Sequence, residues 1–166
     1  MNTPVRAHVG LGANLGDAVA SVQGALAALD ALPNTRVLRA SRLYRTPAWG
    51  KTDQPAFVNA AAILETTLDA RDLLDHMLQI ERDFGRDRAG DGSDRWGART
   101  LDLDLLLYGD AAIDEPGLRV PHPHLHERAF ALVPLIEIDP DLVIPGHGRA
   151  SALVAAMVTG DIHALG

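Results

Sequence analysis

The segment Arg99-Thr100-Leu101-Asp102-Leu103-Asp104-Leu105-Leu106-Leu107-Tyr108 constrains this chain more than any other. Side chains in a strand alternate between faces, so Leu101, Leu103, Leu105 and Leu107 are expected on one face and Asp102 and Asp104 on the other. The leucine face demands a core. The two carboxylates, roughly 7 Å apart at about 3.3 Å rise per residue, demand something positive, because in apolar surroundings they would be costly or would take up protons. A hard cation satisfies them, Mg²⁺ foremost because its preferred ligands are oxygens. An acidic face turned to solvent, or one paired with an arginine, fits the same spacing.

The remaining elements supply the core. Val5 to Leu11 reads as an apolar strand that ends in the glycine-rich turn Gly10-Leu11-Gly12-Ala13-Asn14-Leu15-Gly16. Asp17 can cap a helix with Val19, Val22, Leu26 and Leu29 on one face, stopped near Pro33. Arg36 to Tyr44 alternates as one strand, and Phe57 to Thr66 is a second, stronger one. Asp69 can cap a helix carrying Leu73, Leu74, Met77, Leu78 and Ile80, and a long loop from Gly85 to Ala98 leads into the aspartate strand. The order strand-helix-strand, strand-helix-strand predicts an α+β fold, a ferredoxin-like sandwich with a mainly antiparallel sheet and helices packed on it. His126 to Ile136 is expected to be helical, as is Ala150 to Val158. With no internal repeat and no low-complexity linker, residues 1–166 are expected to form one domain.

Bulk properties narrow the function. A net charge of −7 argues against a general nucleic-acid or membrane-surface binder. Cysteine is absent, which removes disulfides and thiolate chemistry and suits the cytoplasm. The first residues carry no apolar stretch of the kind that directs secretion.

Two phosphate motifs are approached and missed. A dinucleotide-binding GxGxxG would need glycine at position 15, which is Leu15, and a P-loop ending in Gly50-Lys51-Thr52 would need glycine at position 45, which is Arg45. Of the alternating His122, His124 and His126, His122 is the best placed for a site, held between Pro121 and Pro123. The loop before the aspartates presents Arg86, Arg88, Arg95 and Arg99 with Trp96. It reads equally as a solvated surface loop or as a lid whose guanidinium groups reach metal-bound phosphates. Only 4% of residues are aromatic, yet Tyr44, Trp49, Phe57, Trp96 and Phe130 fall beside these loops. That placement fits core packing, or a flat heterocycle held between two rings.

Taken together, Gly12-Ala13-Asn14-Leu15, Tyr44-Arg45-Thr46-Pro47, Asp53-Gln54-Pro55 with Phe57 and Asn59, Arg95-Trp96-Gly97-Ala98-Arg99-Thr100-Leu101-Asp102-Leu103-Asp104, and Val120-Pro121-His122 resemble the 6-hydroxymethyl-7,8-dihydropterin pyrophosphokinases. The resemblance runs along nearly the whole chain, and RWGxRTLDLD is its most specific stretch. It implies pyrophosphate transfer from ATP to the hydroxymethyl group of a reduced pterin, with release of AMP, in folate biosynthesis. It implies two Mg²⁺ ions on Asp102 and Asp104, and triphosphate contacts from Arg99, His122 and Arg128. Arg86 and Arg88 would arrive with a mobile lid, and Trp96 would close with it. The pterin would stack between Phe57 and Phe130, with its edge read by Asn59 and by the loop Thr46, Pro47, Ala48, Trp49 and Gly50. A cytoplasmic monomer is expected, acting on ATP and the pterin, with neither nucleic acid nor membrane as partner. The chain departs from the pattern at Ala13, where serine is usual, at Pro123, where an aromatic is frequent, and at Gly117, where an arginine can stand. Acidic Asp87, Asp91 and Asp94 also dilute the positive charge of the lid.

Two other readings compete. A nucleotidyl transferase or cyclase can place paired aspartates on a similar sheet, but leaves Phe57, Asn59 and Phe130 without a task. A metabolite-sensing module leaves the aspartates and arginines unexplained.

Overall fold

The computed structural model describes residues 3–14, 17–47, 56–85 and 101–165. Strand β1 (Val5–Ala13) leads to helix α1 (Ala18–Asp30), then β2 (Thr35–Ala40), β3 (Leu43–Thr46) and β4 (Phe57–Thr66). Helix α2 (Ala70–Asp83) and strand β5 (Asp102–Tyr108) complete the double unit. The Asp17 carboxylate accepts the Ala20 N–H at 3.0 Å, and the Asp69 carboxylate accepts that of Asp72 at 2.8 Å. Both helices therefore begin at the side-chain caps expected of them.

The principal sheet runs β10-β3-β4-β1-β5, with β2 also paired to β4 and β10 (His163–Leu165) at one edge. Every pairing in it is antiparallel. With α1 and α2 against one face, this is the ferredoxin-like α+β arrangement anticipated from the element order. That face buries Val9, Leu11, Leu64, Leu103 and Leu105 against Val22, Leu29, Leu73 and Met77. The other face carries a second cluster, in which Ala61, Ile63, Leu106 and Leu107 meet Leu132, Leu135 and Ile138 of helix α3 (Ala129–Ile138). Helix α4 (Ala150–Ala155) adjoins it.

Several details depart from the sequence reading, each for a local reason. Arg36 to Tyr44 is two strands. Ser41 sits between them, its hydroxyl donating to the Arg42 carbonyl at 2.7 Å and accepting the Ala61 N–H at 2.9 Å, so a side chain replaces a ladder bond. Gly10 and Gly12 lie inside β1 and not in a turn, because the strand continues to Ala13. Leu107 does not share a face with Leu101, Leu103 and Leu105: β5 carries one extra residue opposite His8/Val9, and this bulge turns both Leu106 and Leu107 toward α3. The helix expected from His126 starts at Ala129, after a 3-10 turn at Leu125–Glu127, and runs to Ile138. The last helix stops at Ala155, short of Val158. The hairpins β6–β7 (Ile113–Glu115, Leu118–Val120) and β8–β9 (Val143–Ile144, Gly148–Arg149) and the edge strand β10 were not anticipated. They are too short for a strand periodicity to register.

Candidate active site

A cavity of about 750 Å³ opens on the α3 side of the sheet. Its floor follows from register. In the β1–β5 ladder Gly12 stands opposite Asp102 and Gly10 opposite Asp104, and in the β1–β4 ladder Gly12 stands opposite Asn59. Glycine leaves empty the space that a side chain on β1 would fill, so the two carboxylates and the amide flank a hollow. The fit is close: a Cβ on Gly12 would lie 2.8 Å from Asn59 Oδ1. The Asn59 amide N–H donates to Thr46 Oγ1 at 2.8 Å, fixing the side chain where β3 ends.

The structure brings Asp102, Asp104, Thr46, Pro47, Phe57, Asn59, Arg128 and Phe130 to this one cavity. Phe57 precedes Asn59 by two residues on β4 and shares its face, while Phe130 enters from the first turn of α3. Two rings from different elements and an amide lining one cavity can hold a flat heteroaromatic molecule and read its polar edge. The Arg128 guanidinium lies 5.8 Å from the centroid of the Phe130 ring. At that distance the charge is held over the ring face and also lines the cavity.

His122 does not line the cavity itself but stands within electrostatic reach of Asp102 and Arg128. Partial burial, then the nearby Arg128 and His124, push its pKa below the ordinary histidine value, while Asp102 opposes them. Its Nδ1 accepts the backbone N–H of His124 at 3.3 Å, so the neutral ring carries its proton on Nε2 and can donate it to an anion. Arg86, Arg88, Trp96, Arg99, Ala48, Trp49 and Gly50 lie outside the described residues.

The donor set bears on the metal expectation. Asp102 and Asp104 offer carboxylate oxygens from one strand face, and among the described residues no cluster of three or more His, Cys, Asp or Glu side chains forms a metal cage. Mg²⁺ commonly takes one or two carboxylates and completes its shell with water and substrate phosphate, so this pair fits it and a closed structural site does not.

Three features went unnoticed in the sequence. Glu81 is buried, and its carboxylate accepts the Leu103 N–H at 2.7 Å, tying α2 to the aspartate strand. Its signal was available: four residues after Met77, it falls on the buried stripe of α2. Glu137 receives hydrogen bonds from the Tyr44 hydroxyl and from Arg42, and Arg39 donates to the Ile138 carbonyl at 3.2 Å. Burial works to raise the Glu137 pKa, but Tyr44 and Arg42 outweigh it and lower the pKa below its usual range. His8 Nε2, from β1, lies 2.9 Å from Asp139 Oδ2. The C-terminal end of α3 is thus pinned to the sheet, which fixes its other end, with Arg128 and Phe130, above the floor. The third feature is that Met157, Val158 and Ile162 supply part of the wall.

Comparison with known proteins gives a consistent picture. The family model for 7,8-dihydro-6-hydroxymethylpterin-pyrophosphokinase (HPPK) matches residues 8–140. The 2-amino-4-hydroxy-6-hydroxymethyldihydropteridine pyrophosphokinase of Methylorubrum extorquens is 47% identical over 148 residues, covering 89% of this chain and 91% of that protein. The Pseudomonas aeruginosa protein of the same name is 46% identical over 151 residues, 91% of each chain. A crystal structure of a Plasmodium falciparum HPPK-DHPS triple mutant with SDX-DHP superposes with a TM-score of 0.73. It does so at 14% identity, over 93% of this chain and 44% of that one, and supports the fold alone.

Proposed function

Because this chain belongs to the 7,8-dihydro-6-hydroxymethylpterin-pyrophosphokinase family, we propose that the cavity above Gly10 and Gly12 is where its two substrates meet. The chain is an ATP-dependent diphosphotransferase of folate biosynthesis: it moves pyrophosphate from ATP to the hydroxymethyl group of 6-hydroxymethyl-7,8-dihydropterin and releases AMP. One observation supports this cavity above all: paired carboxylates and a two-ring, one-amide cleft line the same hollow. A nucleotidyl transferase has no use for the second half of that arrangement.

In this reading the reduced pterin lies between Phe57 and Phe130. Asn59 reads its polar edge, and Thr46, Pro47, Ala48, Trp49 and Gly50 close around it. Asp102 and Asp104 would hold two Mg²⁺ ions, which, when bound, would neutralise the triphosphate and polarise the β-phosphorus. Arg128, the Nε2–H of His122 and Arg99 contact the phosphates, Trp96 binds on the nucleotide side, and Arg86 and Arg88 cover the reacting centre. The pterin hydroxyl oxygen bonds to the β-phosphorus as the bond from that phosphorus to the AMP oxygen breaks, and the hydroxyl proton passes to a carboxylate of the Asp pair or to water. Such a transfer needs alignment and charge neutralisation more than a reactive side chain, which is what this set of groups provides. The remaining expectations belong to the same proposal: one domain spanning residues 1–166, a cytoplasmic monomer, and no nucleic-acid or membrane partner.

Incubating the protein with ATP, Mg²⁺ and the reduced pterin tests the reading by its products. AMP and the pterin diphosphate are expected in equal amounts. Release of ADP, or of free pyrophosphate with no pterin consumed, would overturn it.

A further inference from the structure

Beyond Ile138 the chain turns through β8–β9 and α4 and returns to the cavity. Met157 packs partly against the second core cluster, and its N–H donates to the Val154 carbonyl at 2.9 Å. A turn closed by the Ile162 N–H and the Thr159 carbonyl, at 3.0 Å, carries the backbone across to β10. There His163, Ala164 and Leu165 pair with Arg45, Tyr44 and Leu43 of β3, the strand that ends in Thr46. Met157, Val158 and Ile162 are thereby presented to the cavity. They lie beyond the 8–140 stretch that the family model matches.

Val158 stands out. It is 79% exposed, and among the described residues only Leu78, Phe130, Val143 and Val158 are exposed large hydrophobics. Two of those four, Phe130 at 39% exposure and Val158, line the same cavity. An apolar side chain left in water on a segment that is tethered at both ends gains from an apolar ligand that covers it. The ligand available is the ring system lying against Phe130.

We propose that the 157–162 segment is the outer apolar wall of the pterin site, with Val158 and Ile162 covering the bicyclic ring beside Phe130 and setting how tightly it is held. The inference rests on the cavity being the pterin site. Its effect is confined to that substrate, because Asp102, Asp104 and Arg128 provide the phosphate side independently. The residues act in binding, with no part in bond making.

Steady-state kinetics on Val158→Ser and on the double variant Val158→Ser/Ile162→Ser provide the test. The pterin KM is expected to rise about tenfold in the single variant and further in the double, the scale of losing apolar contact in a binding pocket. The ATP KM and kcat should stay within about twofold of the parent, and Val158→Ile should restore the pterin KM. Amide exchange of the unaltered protein gives a second readout: saturating pterin should slow exchange at 157–162 together with 57–59. An unchanged pterin KM in the double variant, or protection at 57–59 without any at 157–162, would overturn the inference while leaving the reaction standing. A parent protein that makes no AMP from ATP and pterin would remove the reading beneath it as well.

Discussion

The two faces of the β1–β5 ladder are built from interleaved residues of the same strands, yet they obey opposite rules. On one face Val9, Leu11, Leu103 and Leu105 are almost wholly removed from water and packed against α1 and α2. On the other, Gly10 and Gly12 give up their side-chain volume so that Asp102, Asp104 and Asn59 can border a hollow. The first face gains stability from close packing; the second forgoes apolar contact and accepts carboxylates side by side in order to receive charged substrate. Period-two alternation lets both rules operate within one strand.

Substitutions that strike one face and spare the other put this division at risk. The largest effect is expected for Asp102→Asn or Asp104→Asn. Turnover should fall on the order of a thousandfold, comparable to losing another charge-stabilising group in phosphoryl transfer, with thermal stability nearly unchanged. Near-parental turnover in either variant would show that the carboxylates are not what the hollow is for. Leu103→Ala, on the packed face between those two residues, should do the reverse. It should cost about 2–5 kcal/mol of stability, as large-to-small core changes do, with kcat per folded molecule retained, which denaturant titration combined with active-site counting can check. Gly12→Ala tests the boundary. The added methyl would press on Asn59 Oδ1 and shift it from Thr46, so the pterin KM should rise about tenfold while the ATP KM holds.

A smaller change is expected from Tyr44→Phe, which removes one donor from Glu137 while Arg42 remains. A loss of about 1 kcal/mol is expected by chemical denaturation, with a modest rise in pterin KM as α3 gains freedom. The least effect concerns His122. Its pKa is lowered in the substrate-free protein, so its contribution to stability is present above the ordinary histidine value and lost as pH falls through the native one. Triphosphate beside the ring favours the charged form, so affinity for a non-hydrolysable ATP analogue should strengthen by a few-fold as pH drops across that window. Calorimetry on His122→Gln should show the slope removed; an identical slope in the variant would place the titrating group elsewhere.

How much of this was legible in the sequence depended on whether the signal was local. The caps at Asp17 and Asp69, the helices that follow them and the alternation around Asp102 and Asp104 depend on near neighbours, and they stand as read. The bulge that redirects Leu107 depends on how β5 meets β1, and no pattern within β5 announces it. The same holds for Ser41 acting as a backbone substitute, and for the glycines, read as a turn because their partners across the ladder were unknown. At the site, Phe57, Asn59 and Phe130 were drawn together by the resemblance, and with the aspartates they line one cavity. The wall from Val158 and Ile162 was not foreseen, because its place depends on how Met157 packs after α4 and on the pairing of β10 with β3.

Strand β4 has both of its edges occupied, by β1 along one side and by β2 and β3 along the other. Its paired amides reach solvent only if a ladder unzips, so Asn59 and its neighbours ride on a strand protected from both sides. The turn that brings Val158 is held by less: the packing of Met157 on one side and a three-residue edge strand on the other. The floor of the cavity is thus anchored in the interior of the sheet, and its outer wall at the sheet's edge.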